Sequence, residues 1–74
     1  MKESYFKGMN QDGRTIRFAS NAKQREAVKV LQEYGMSGLD LQADNWTRFI
    51  QFADSGTATQ AYDILDSVEN VEAV

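Results

Sequence analysis

With no Cys and no His, the 74-residue sequence has its carboxylates as the main material for acid–base or metal chemistry. That absence excludes a disulfide scaffold, a thiolate nucleophile, a Cys/His zinc site and every mechanism built on imidazole. Asp40 and Asp44 flank a turn, and paired carboxylates can hold a metal or act as acid and base. Neither has a neighbour that supplies a third ligand or a nucleophile's base, and Asp beside a turn is ordinary turn chemistry. Gly8, Gly13, Gly35, Gly38 and Gly56 are scattered, so no phosphate loop can be drawn. Asp54-Ser55-Gly56-Thr57 sits where a strand should pass into a helix, and its free amides could receive an anion. Capping the helix is their commoner use. No catalytic residue, metal ligand or cofactor is assigned, and the expectation is a protein that is not an enzyme.

Surfaces are a better prospect than sites. On the second helix Thr59, Asp63, Asp66, Ser67 and Asn70 fall on the solvent side, with Glu69 and Glu72 beyond. Carboxylates in a last turn face the negative end of the helix dipole, and no Lys or Arg is there to offset them. Asp63, Asp66, Glu69, Asn70 and Thr59 are therefore the expected partner-binding residues. The second candidate is an open sheet face built from Tyr5, Lys7 and Met9, then Thr15 and Arg17, then Thr47, Phe49 and Gln51. Tyr5 and Phe49 interleaved with Lys7 and Arg17 is a pattern on which single-stranded nucleic acid can stack.

The elements that must position these residues follow from hydrophobic period. Residues 4–10 and 14–19 are rich in aromatic and β-branched types and flank Gln11-Asp12-Gly13, a hairpin signal. Phe6, Ile16 and Phe18 share a face if Phe6 lies opposite Phe18 and Gly8 opposite Ile16, which leaves a three-residue loop ending on Gly13. From Asn21 the period becomes 3.6. Ala27, Val28, Val30, Leu31 and Tyr34 form one side of a helix over 22–34, capped by Asn21 with Gln24 and stopped by Gly35.

A shorter strand at 39–42 and another at 46–53 enclose Asp44-Asn45 as a two-residue turn. That pairs Leu41 with Arg48 and Leu39 with Ile50, and turns Leu39, Leu41, Trp46, Ile50 and Phe52 inward. Arg48 is the misfit on this face and must sit at an edge or snorkel. A second helix from about residue 58 has Thr57 and Gln60 in capping-box spacing and buries Ala58, Ala61, Ile64, Leu65 and Val68. Residues 71–74 could add a short strand.

At an offset of 34, Ile16, Phe18, Ala19, Ala27 and Leu31 coincide with Ile50, Phe52, Ala53, Ala61 and Leu65. Ser20 coincides with Asp54, Val30 with Ile64 and Glu26 with Gln60. The pattern fits an internal duplication, and it equally fits two amphipathic units that share apolar positions. Both readings give one small α+β domain over 1–74. It is a two-layer sandwich, ββαββα, whose four-stranded antiparallel sheet carries both helices on one face. The alternative is a ferredoxin-like βαββαβ with an extra N-terminal strand, beginning at 14–19 and ending at 71–74.

Charge is distributed unevenly along the chain. Residues 1–34 hold seven bases (Lys2, Lys7, Arg14, Arg17, Lys23, Arg25, Lys29) and four acids (Glu3, Asp12, Glu26, Glu33). Residues 35–74 hold Arg48 alone against Asp40, Asp44, Asp54, Asp63, Asp66, Glu69 and Glu72. A net charge of -3 argues against general nucleic-acid binding, which depends on Lys and Arg neutralising phosphates. No stretch approaches a membrane span and the first residues lack a signal peptide's apolar core, so a cytoplasmic location is expected.

No motif is specific to a family. The function these features suit is a non-enzymatic protein-binding module: a small acidic inhibitor or adaptor docking on a basic surface of a larger nucleic-acid-handling complex, as phage and mobile-element inhibitors do. The opposite signs of the two halves would also support a head-to-tail homodimer. The alternative is a single-stranded nucleic-acid module using Tyr5, Lys7, Arg17 and Phe49.

Overall fold

The computed structural model describes residues 6–68. In chain order it has β1 (Asn10–Asp12), β2 (Thr15–Arg17), α1 (Asn21–Glu33), β3 (Leu41–Gln42), β4 (Phe49–Phe52) and α2 (Ser55–Ser67). The four strands form one antiparallel sheet in the order β1-β2-β4-β3. Both helices lie against it and against each other, which is the expected ββαββα two-layer α+β fold. β1 occupies the edge beside β2 that a terminal strand would take in a ferredoxin-like arrangement. Residues 71–74, proposed above as that strand, lie outside the described residues.

The helices form where the period changes. Ser20 caps α1, its side chain accepting from the Lys23 amide at 3.3 Å. Asn21 and Gln24, expected as the capping pair, are used elsewhere. Asp54 caps α2, its carboxylate accepting from the Thr57 amide at 2.7 Å. α2 therefore starts three residues before the expected position, with Thr57 as donor to the cap. At the other end of α1, Gly35 takes φ +100°, the left-handed conformation that stops a helix most easily. Its amide donates to the Gln32 carbonyl at 3.1 Å and the Met36 amide to the Leu31 carbonyl at 3.0 Å. This is a Schellman closure, and buried Met36 joins buried Leu31 in the core behind it.

Both hairpin registers differ from expectation. In the first, Gln11 faces Ile16 and Asp12 faces Thr15, so the turn is Gly13-Arg14 with Gly13 at φ +62°. A positive φ at the first of two turn residues is the type II′ pattern, which suits a two-residue hairpin better than the longer loop. Phe6 is not in a strand. It sits in a turn over residues 6–8 and still meets Phe18 edge-on, ring centroids 6.1 Å apart. In the second hairpin Leu41 faces Phe52 and Gln42 faces Gln51. The connection is therefore 43–48, not Asp44-Asn45 alone. This slip leaves Leu41, Ile50 and Phe52 inside but expels Leu39, 90% exposed, and Trp46, 80% exposed. Arg48 leaves the inward face with them, and Tyr34 at the end of α1 also stands in solvent.

The core repeats. Ile16 and Ile50, Phe18 and Phe52, Ala27 and Ala61, and Leu31 and Leu65 are all buried to the same degree. Each pair is separated by 34 residues, as are the two 13-residue helices and their caps. Ile16 faces Ile50 directly in the central β2–β4 pair. On either side of that pair the Phe18 amide donates to the Arg48 carbonyl and the Phe52 amide to the Arg14 carbonyl, each at 2.7 Å. Arg14 and Arg48 are themselves identical residues 34 apart. Two strand-helix units are thus related by an approximate two-fold axis through Ile16 and Ile50.

Candidate functional site

The two-fold relation puts the expected binding residues on matched scaffolds. α2 buries Ala58, Ala61 and Leu65, with Tyr62 and Ile64 partly buried against the core, so Asp63 and Asp66 point to solvent. They lie three apart and therefore on one side of the helix. Thr59 is exposed too, but its hydroxyl accepts from Gln11 Nε2 at 3.0 Å and ties α2 to the edge strand β1. Glu69 and Asn70 lie outside the described residues. α2 contains no Lys or Arg and has no basic residue in its last turn. On α1 the positions equivalent to Thr59, Asp63 and Asp66 hold Arg25, Lys29 and Gln32, all exposed. One face of the scaffold is cationic and its counterpart anionic.

The expected sheet-face platform forms only in part. Arg17 and Phe49 face each other across β2 and β4, both exposed on the helix-free side. Thr15 and Gln51 are paired beside them. Tyr5 lies outside the described residues, and Lys7 is exposed in the turn before β1. Met9, expected on this face, is buried in the core. The reason is the first hairpin's register: a slip by an odd number of residues exchanges the two faces of a strand. β1 therefore presents Asn10 and Asp12 to the open side, and Gln11 points toward α2.

Sequence reasoning missed two residues here. Trp46 and Arg48, read as inward-facing, border the same shallow depression as Arg17 and Phe49. The signal is the misfit of Arg48 itself: a guanidinium on an inward face is costly to bury, and a register that leaves it in the connection avoids that cost. Two amides hold the 43–48 segment in place. Gln24 is buried, and its Nε2 donates to the carbonyls of Asp44 at 2.7 Å and Phe49 at 3.2 Å. Asn21 Nδ2 donates to the carbonyls of Asn45, at 2.9 Å, and Thr47. Residues expected to cap α1 instead anchor this loop against its first turn.

Two carboxylates show structural uses. Asp40 accepts from the Ser37 amide at 2.9 Å and closes the turn before β3. Asp54 is exposed, and the Thr57 amide donating to it lowers its pKa from the ordinary value of 3.8. Among the described residues no group of three or more acidic side chains could hold a metal ion, and no helix is long and apolar enough to cross a membrane. Comparison of the chain with protein-family models, with curated proteins and with solved structures returns no match.

Proposed function

We propose that the domain is a non-enzymatic protein-binding module, an inhibitor or adaptor. It seats the acidic side of α2 on a basic surface of a larger nucleic-acid-handling complex, in the manner of phage and mobile-element inhibitors. The supporting observation is the sign reversal between equivalent helix faces, Arg25 and Lys29 on α1 against Asp63 and Asp66 on α2. Packing is satisfied identically on both helices by Ala27 and Leu31 or Ala61 and Leu65. Charge on the outer side is thus independent of the fold, and α2 carries its carboxylates without a compensating base. One-signed surfaces of this kind raise encounter rates tens-fold or more at low salt and fade as ions screen them.

Asp63→Lys/Asp66→Lys reverses four units of charge at exposed positions and should leave the fold intact. Immobilised wild type, this variant and Arg25→Glu/Lys29→Glu are exposed to the same lysate, and the retained proteins are identified by mass spectrometry. Proteins held by the wild type and by the α1 variant but lost from the α2 variant support the reading. Their association rate should also fall with added salt. Retention unaffected by Asp63→Lys/Asp66→Lys removes α2 from the interface.

A further inference from the structure

We infer that Arg17, Trp46, Arg48 and Phe49 form a platform for single-stranded nucleic acid. Bases stack on the indole and the phenyl ring, and the adjoining phosphates meet the two guanidinium groups. The surface is distinct from α2, since Arg17 and Phe49 lie on the helix-free side of the sheet.

The depression these side chains border measures about 620 Å³, and its remaining lining, Asn21 and Thr47, is uncharged. Among the described residues no carboxylate lines it, and a nearby acid, Asp12, borders the adjoining depression that Arg17 and Phe49 share, so two positive charges stand against one in a chain whose net charge is -3. Trp46 is 80% exposed and Phe49 44%, so their rings are open to a ligand. The backbone that carries Trp46 is nonetheless anchored on both sides, by Gln24 at Asp44 and Phe49 and by Asn21 at Asn45 and Thr47. A held backbone costs a ligand less ordering than a mobile loop would.

An aromatic face next to a guanidinium matches the two chemical elements of a nucleotide, a flat base and a phosphate. A protein interface of similar strength would need an apolar surround to exclude water. Here the neighbours are Asn10, Asp12, Asn21, Thr47 and Gln51. The overall negative charge sets the strength: binding belongs in the weak, salt-sensitive range of about 10⁻⁴ to 10⁻⁶ M.

Trp46 is the only Trp in the chain, so its emission reports contact at the platform directly. Short oligothymidylate and oligouridylate, titrated at low salt, should quench it saturably. With two phosphates neutralised on a single strand, the logarithm of the affinity should fall against the logarithm of salt with a slope of about 1.4. Phe49→Ala should weaken binding about 5- to 160-fold, and Arg17→Glu/Arg48→Glu should abolish it, each with a wild-type far-ultraviolet spectrum. Trp46→Ala, followed by anisotropy of a labelled oligonucleotide, should lose a similar factor. Asp63→Lys/Asp66→Lys should still be quenched, which separates this surface from the docking role of α2. No quenching at about 100 μM oligonucleotide overturns the proposal. So does quenching indifferent to Phe49→Ala, or duplex DNA as effective as single strands. Polyglutamate quenching as strongly as oligothymidylate would reassign the patch to an acidic protein.

Discussion

Gln24 is the one fully buried polar side chain among the described residues, and its removal should show what holds the 43–48 segment. Its position in the other half of the molecule is taken by Ala58, equally buried. The amide is thus not needed to pack a helix on the sheet. Replacing it with Leu keeps the volume nearly constant and deletes two well-placed bonds, to the Asp44 carbonyl at 2.7 Å and the Phe49 carbonyl at 3.2 Å. The third contact, to Thr47 Oγ1 at 3.4 Å, is marginal. At about 1 kcal/mol net for each bond, and more if a carbonyl is left dry, the loss is about 2 to 3 kcal/mol. A domain of this length has about 4 to 11 kcal/mol in total. The midpoint of thermal unfolding should drop by about 8 to 24 °C, since each kcal/mol moves a domain of this size by about 4 to 8 °C. Melts followed by circular dichroism measure it, with Gln32→Leu on the exposed side of α1 as the control. The reciprocal change, Ala58→Gln, buries an amide in the half that has no matching loop carbonyls, and it too should destabilise. If Gln24→Leu melts within about 2 °C of wild type, the bonds do not hold the loop.

Leu31→Ala and Leu65→Ala remove equivalent, fully buried side chains, and each should cost about 2 to 5 kcal/mol in urea titrations. A cost at one position and none at the other would break the two-fold account of the core. Asp54 has a folded-state pKa below its unfolded value, so its stabilisation is present above the unfolded pKa and lost as pH falls through the folded one. Asp54→Ser, copying the Ser20 cap of α1, should flatten the acid limb of the stability profile as pH falls below the unfolded carboxylate pKa. An unchanged limb would assign the acid sensitivity to other carboxylates.

Helix placement and the inward stripe were legible in the sequence because α1 and α2 each bring a strong period and a stop or cap. α1 was offset by one residue. α2 was offset by three because Thr57-Gln60 resembled a cap box, although Ser20 aligning with Asp54 already marked both true caps. Strand register was harder, for a physical reason. Each strand has only two to four residues, and period two does not distinguish registers that differ by an even number. A slip of four in the second hairpin kept Leu41, Ile50 and Phe52 inside and went unnoticed except through Arg48. A slip of three in the first moved Met9 from the expected open face into the core. The α2 surface was readable because helix faces follow from spacing alone. The Trp46 and Arg48 cluster was not, because it depends on where a six-residue connection is anchored, and the anchors, Gln24 and Asn21, looked like caps.

The two-fold axis through Ile16 and Ile50 bears on how the chain comes off the ribosome. Neither half owns the strand pair at its centre, so a nascent chain ending before Phe49 has β1, β2 and α1 but no partner for the inner edge of β2. Its phenylalanines and Leu31 would then face water, since a unit of this length cannot enclose a core alone. Folding must wait until β4 has emerged and then involve both halves at once. A chain cut between α1 and β3 should therefore give two fragments that are unstructured apart and recover the sheet when mixed.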